Sequence, residues 1–185
     1  MRMILFIAMF LLGGCVERPE KVMPVKEFEL SRYLGTWYEI ARLDHSFERG
    51  LEQISATYSL REDGGVKVIN RGFDTKSKHW KEAEGKAYFV ETPDTGFLKV
   101  SFFGPFYGSY IIFDLDYGRY SLISGPDLSY LWILSRTPVL DEETKRYLIK
   151  KAKAAGFDTD KLIFVEHAKT HTSANNTSPL YLQDR

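Results

Sequence analysis

From Phe28 to about Lys169 the chain is cut into short apolar-rich runs by glycine, proline and aspartate, and several runs alternate with a period of two. Ile54–Leu60 is the cleanest: Ile54, Ala56, Tyr58 and Leu60 are apolar, while Ser55, Thr57 and Ser59 are polar. That is the pattern of a strand with one buried face. Asp63-Gly64-Gly65 behind it supplies a turn, because glycine takes positive φ at low cost. Runs at Gly35–Leu43, Ile54–Leu60, Val66–Phe73, His79–Val90, Phe97–Phe103, Ser109–Asp114, Arg119–Ser124 and Tyr130–Arg136 make eight such strands. They predict an all-β domain. Eight antiparallel up-and-down strands suffice to close a barrel whose interior holds one small ligand. Nothing repeats at intervals of 20–50 residues, which excludes solenoids and propellers.

One helix is expected after the eighth strand, packed outside the barrel. Asp141 suits its N-cap, and Glu142 and Glu143 favour the positive end of its dipole. Glu142 and Arg146 are spaced to pair, Leu148, Ala152 and Ala155 form an apolar stripe, and Gly156 suits the C-terminal cap. A short strand, Leu162–Val165, follows.

The N-terminus reads as an address. Met1-Arg2-Met3 carries one positive charge, Ile4–Leu12 is uninterruptedly apolar, and Gly13-Gly14 precedes Cys15. This is the layout of a secretory signal peptide, and the run falls well short of the roughly 20 apolar residues a spanning helix needs. Val16–Glu27 is polar, holds Pro19 and Pro24, and reads as a linker with a reach of at most about 40 Å. Residues 169–185 lack periodicity and read as a disordered tail. The expected organisation is a signal peptide over 1–14, a modified cysteine and linker over 15–27, a barrel domain over 28–168, and the tail.

Several chemistries are disfavoured. Lys plus Arg equals Asp plus Glu at 25 each, so no charge excess draws in nucleic acid. The single cysteine can make neither an internal disulfide nor a cysteine zinc cluster. No G-x-S-x-G, H-E-x-x-H or phosphate-binding glycine loop occurs. His167 and His171 have i, i+4 spacing, but not on a helix, which is a poor metal site. The expectation is a binding protein, not an enzyme, with no cofactor and no metal.

Leu12-Gly13-Gly14-Cys15 resembles the bacterial lipobox. The resemblance implies acylation of Cys15, palmitate included, and cleavage just before it. Val16 is not the Asp that goes with inner-membrane retention in enteric bacteria, so the implied location is the outer membrane, facing the periplasm. Gly35-Thr36-Trp37-Tyr38 is similar to the first lipocalin motif, G-x-W. Leu115-Asp116-Tyr117-Gly118-Arg119-Tyr120 resembles the second, with Leu115 where Thr is usual. Arg136 in Trp132-Ile133-Leu134-Ser135-Arg136-Thr137-Pro138 matches the third. The three in order, followed by a helix, resemble the lipocalin family over Phe28 to Ala168, within it the bacterial and apolipoprotein D-like branch. The resemblance implies a barrel floor built on Gly35, Trp37, Asp116 and Arg136, with the guanidinium lying against the indole.

If Arg136 points into that floor, parity turns Leu134, Trp132 and Tyr130 inward. On the other strands Ala56 and Tyr58, Ala87 and Phe89, and Leu98, Val100 and Phe102 form the inward faces. The sixth strand is apolar on both faces, and Tyr110 and Ile112 are assigned inward. The expected ligand-binding residues are thus Ala56, Tyr58, Phe89, Val100, Phe102, Tyr110 and Trp132. They suit an elongated apolar ligand with a polar head near the mouth. The family implies fatty acids, lysophospholipids or other lipids, held for storage or transport. Phe47 and Leu51, on a loop over Asp44–Gln53, are a candidate lid or rim anchor. Glu39 alternates with Trp37 and is a candidate inward carboxylate. The alternatives are an envelope enzyme acting on a bound lipid through a barrel carboxylate or tyrosine, and a structural envelope protein whose outer face binds a partner. A homodimer is compatible with each.

Overall fold

The computed structural model describes residues 16–167. The expected signal peptide, Cys15, His171 and the tail over 169–185 lie outside the described residues. Eight antiparallel strands follow one another: β1 (Gly35–Arg42), β2 (Leu51–Leu60), β3 (Val66–Asp74), β4 (His79–Phe89), β5 (Phe97–Phe103), β6 (Phe106–Asp116), β7 (Tyr120–Ser124) and β8 (Leu131–Ser135). Each bonds to the next, and β1 bonds to both β2 and β8, so the sheet closes on itself as an up-and-down barrel. The β2 ladder begins at Leu51, ahead of the alternating run, and β6 extends beyond Ser109–Asp114 at both ends. Pairing of backbone groups does not require an apolar side chain.

The sheet is apolar on both faces over part of its circumference, and the two faces build separate cores. Ile40, Ala41, Ile111, Leu122, Leu131 and Ile133 face outward, beneath Leu148 and Ala152 of helix α2 (Glu142–Ala155). Asp141 caps α2, accepting from the Thr144 N–H at 2.9 Å, and Gly156 ends it at φ +105°. Glu142 pairs with Lys145 at 2.7 Å, one residue nearer than the Arg146 expected. A strand of two residues, β9 (Ile163–Phe164), pairs with Ala41 and Arg42 outside the closed ring.

Two features depart from the sequence reading. Val16–Glu27 is docked on the barrel wall and does not span free space. Val22 is fully buried in the outer core. The Val25 N–H donates to the Ile112 carbonyl at 2.9 Å, and the Val25 carbonyl accepts from the Gly96 N–H. Two valines among charged residues and prolines have no period to reveal them, yet each finds an apolar seat. A four-residue helix, α1 (Leu30–Tyr33), crosses the floor just before β1. It is too short for a 3.6-residue pattern to register.

Near its end β1 carries a bulge between Glu39 and Ala41. An extra residue there breaks the alternation, so Glu39 and Arg42 both lie buried among the inward groups while Ile40 and Ala41 join the outer core. Beyond the bulge β1 has left β2, and the segment after α2 fills the gap. The Val165 N–H donates to the Ile40 carbonyl, the Gln53 N–H to the Glu166 carbonyl, and His167 Nε2 meets the Glu39 carbonyl at 2.7 Å. That bond engages Nε2 of His167. Among the described residues no cluster could hold a metal ion, and no helix is long and apolar enough to cross a membrane.

Candidate functional site

The barrel interior has a packed floor at one end and, at the other, a mouth over which the loop after β1 folds. Phe28, Tyr33 and Trp37 pack at the floor, Tyr33 stacking on Trp37 with ring centroids 4.9 Å apart. The Arg136 guanidinium lies 3.8 Å from the Trp37 ring and donates to the carbonyls of Tyr117, Leu34, Thr36, Arg32 and Tyr33 at 2.7–3.2 Å. Gly35 sits at φ +93° beside Arg136 Nη1, a backbone region that glycine enters freely. Asp116 Oδ1 accepts from the Gly118 N–H at 2.9 Å and holds the β6–β7 turn that supplies the Tyr117 carbonyl.

Above the floor, Ala56, Tyr58, Val100, Phe102, Tyr110 and Trp132 all pack into the interior cluster, with Leu98, Ile112 and Leu134. Tyr58 is buried, but the other five keep partial exposure. These five face into the barrel and still meet solvent. Phe89 sits lower, 6.1 Å from Phe28, in the floor packing and not at the mouth. Tyr130 stacks on His45 at 4.9 Å, on the rim. Leu51 is the first residue of β2, and Phe47 is 61% exposed, stacked on His45.

Two polar groups interrupt the apolar lining. Low in the barrel, Tyr33 Oη meets Tyr110 Oη at 2.7 Å and Ser121 Oγ at 3.1 Å, and Tyr110 Oη meets Tyr58 Oη at 2.8 Å. Burial pushes the Tyr33 phenol up to about 12 and raises Tyr58 and Tyr110 well above their ordinary value, so all three are neutral hydroxyls. At the mouth, Arg42 Nη1 donates to Glu39 Oε1 at 2.8 Å, Arg42 Nη2 donates to the Glu48 carbonyl at 3.1 Å, and Trp132 Nε1 donates to Glu48 Oε2 at 3.2 Å. Burial raises the pKa of Glu39, and the neighbouring Glu48 charge raises it further. Burial raises that of Glu48 too, against the pull of the Trp132 N–H and Arg42. Arg42 is thus enclosed between the Glu39 carboxyl at 2.8 Å and the Glu48 carboxyl at 3.8 Å. Sequence alternation points to Glu39 but misses Arg42 and Glu48: the bulge turns one inward, and the loop folds the other over the mouth.

The chain belongs to the lipocalin family: residues 28–167 match the family model described as a lipocalin-like domain. Within the family it is similar to the outer membrane lipoprotein Blc of Vibrio cholerae, at 56% identity over 164 residues, 88% of this chain and 96% of the relative. It is also similar to Blc of Escherichia coli K12, at 52% over 86% of this chain and 92% of the relative. Apolipoprotein D of Mus musculus is more distant, at 32% over 86% and 85%. The solved structure of insecticyanin from Manduca sexta superposes with a TM-score of 0.66 at 24% identity, covering 83% of this chain and 88% of that one, a likeness of fold alone.

Proposed function

We propose that this lipocalin is an outer-membrane lipoprotein that binds single-chain lipids such as fatty acids and lysophospholipids in its barrel. Acylated Cys15 is its anchor, as its relatives' name, outer membrane lipoprotein, supports. The observation that carries the ligand reading is the partly exposed, inward-facing set Ala56, Val100, Phe102, Tyr110 and Trp132. These groups favour an alkyl chain, each buried CH₂ being worth about 0.8 kcal/mol. Arg42 is already committed to Glu39 and Glu48, so a lipid headgroup finds no free cation inside and stays at the mouth. The reading is of a binder: the Glu39 carboxyl is held by Arg42, and the three tyrosine hydroxyls are held by one another and by Ser121. A second copy of the chain is a further partner for sedimentation to test.

The test is titration of residues 16–185, delipidated, with a lysophospholipid and a fatty acid, followed by tryptophan fluorescence. Saturable binding at micromolar concentration or tighter is expected, and Trp132→Ala weakens it about tenfold or more, the loss expected when one buried ring is truncated. No saturable binding of either lipid overturns the reading. Lysolipid turnover abolished by Glu39→Gln would establish an enzyme instead.

A further inference from the structure

The chain joins the barrel wall close to the mouth. The Glu17 carbonyl accepts from Ser109 Oγ, and Val16 packs against the outer core. Ser109 stands three residues from Phe106, at the tip of the β5–β6 turn, about 10 Å along the strand. Cys15 directly precedes Val16 in the sequence. The floor lies at the other end of β6, roughly 33 Å from Phe106. A docked leader makes a short tether, and a short tether limits which end of the barrel can meet the surface that holds it.

The same end exposes large apolar rings. Phe103 and Phe106 are 81% and 79% exposed, and Phe47 is 61% exposed on the facing loop. Lys76 and Lys78, in the β3–β4 turn on this rim, are exposed and make no ion pair among the described residues, and the same holds of Glu52 at the start of β2 and Asp127 in the β7–β8 loop. The floor turns carry Glu62 and Asp94, also exposed and unpaired among the described residues. Two phenylalanine rings held in water, with lysines on the same rim, suit the headgroup boundary of a phospholipid leaflet, where ring and ammonium are both accommodated.

We infer that the barrel is held mouth-down on the bilayer, with Phe103 and Phe106 inserted at the headgroup boundary, so that a lipid passes between leaflet and cavity without crossing water. The inference rests on the reading that Cys15 is acylated and that the cavity takes lipid. Its advantage is kinetic. Each methylene that need not be exposed during transfer spares a factor of roughly four in the equilibrium between leaflet and water.

The experiment uses the full-length acylated chain in phosphatidylethanolamine–phosphatidylglycerol vesicles. Cys15 is the chain's one cysteine, and when acylated it is unreactive, so an environment-sensitive dye goes only to a thiol introduced by Phe106→Cys or Glu62→Cys. The expected result is a blue-shifted dye at position 106, quenched by nitroxide carried on lipid, and a dye at position 62 quenched by aqueous iodide alone. A dye at 106 as open to iodide as that at 62 overturns the inference. So does a dye at 106 shielded from both quenchers, which would mean that a second copy covers the mouth. Flotation with the vesicles and the mass of the N-terminal peptide report the anchor separately. If acylation fails, both readings fall; if the chain is acylated and floats but the 106 dye is wet, only the orientation falls. The double variant Phe103→Ser, Phe106→Ser is expected to slow transfer of a fluorescent lysolipid out of vesicles at least about tenfold, with its Kd for the same lipid below the micelle concentration unchanged. An unchanged transfer rate overturns the inference, and absent binding in the Kd assay overturns the lipid-binding reading itself.

Discussion

Replacing Arg136 by Met keeps the length of the side chain and removes its charge and donors. Three of the five carbonyls it serves, those of Tyr117, Leu34 and Tyr33, are bonded in partly buried positions, the other two in exposed ones. Water can replace the exposed pair at little loss. Each partly buried bond contributes about 1 kcal/mol net, since some water reaches the vacated site. Stacking on Trp37 at 3.8 Å contributes about 1 kcal/mol more. The sum is about 4 kcal/mol. For a chain of this size, 1 kcal/mol moves Tm by about 2–4 °C, so Arg136→Met lowers it by about 8–16 °C in a calorimetric scan. Arg136→Lys retains the cation over the indole but cannot span carbonyls from α1, β1 and the β6–β7 turn at once. It therefore recovers about 1 kcal/mol and no more. A loss below about 1 kcal/mol in the Met variant, or full stability in the Lys variant, refutes the argument that donor geometry holds the floor.

Further predictions concern the mouth and the helix cap. The folded His45 imidazole has its pKa lowered to about 4, first by burial and then by Arg42; the unfolded chain takes up its proton first, so stability falls as pH drops from about 6.5. The raised Glu39 carboxyl acts with the opposite sign: its contribution is complete below the ordinary carboxylate range and is lost as pH rises. Between pH 5 and 6.5 the two slopes oppose, each at most about 1.4 kcal/mol per pH unit. Denaturant melts should show stability climbing more steeply with pH in Glu39→Gln and descending in His45→Phe; equal slopes in both variants refute the assignment. A Cβ added by Gly85→Ala would stand 2.8 Å from the Phe102 ring and 2.9 Å from the Ser101 carbonyl. The ring must move into the interior, so the variant loses about 1–3 kcal/mol of stability and binds lipid more weakly; unchanged affinity would remove Phe102 from the lining. Gly156→Ala, at φ +105°, is expected to destabilise by about 1 kcal/mol in urea melts, with lipid affinity untouched.

The strand pattern carried most of the fold because alternation is a local consequence of which face is buried. Alternation alone places Phe102 inside; Trp132 needed Arg136 as a fixed point from the lipocalin resemblance, and Tyr110 lies on a strand apolar on both faces, where parity does not choose a side. Parity failed where the backbone departs from regularity. At the bulge in β1 one added residue reverses the facing of Arg42, and nothing in Gly-Thr-Trp-Tyr-Glu-Ile-Ala-Arg announces it. Glu48 lies on a loop, whose course depends on what it folds over. Val22 and Val25 were hidden for a different reason: an isolated apolar residue among charges looks like a linker until its binding surface exists. Phe89 shows the remaining limit. Alternation assigns it the right face but says nothing of height along the barrel, and height separates floor packing from a place near the mouth.

The way β1 is satisfied has a bearing on when the protein can finish folding. Its second half bonds to β8, almost a hundred residues later, and to Ile163 and Phe164 beyond the helix. The Glu39 carbonyl meets His167 Nε2, and the Ile40 carbonyl accepts from the Val165 N–H. A chain delivered from its N-terminus through a translocation pore therefore presents its first strand half-unpaired until nearly all of it has emerged. Contacts of such sequence separation form slowly, because the loop must close before they are rewarded. The seam is then both the last part of the barrel to close and the place where a stalled or truncated chain would offer an unpaired strand to its neighbours.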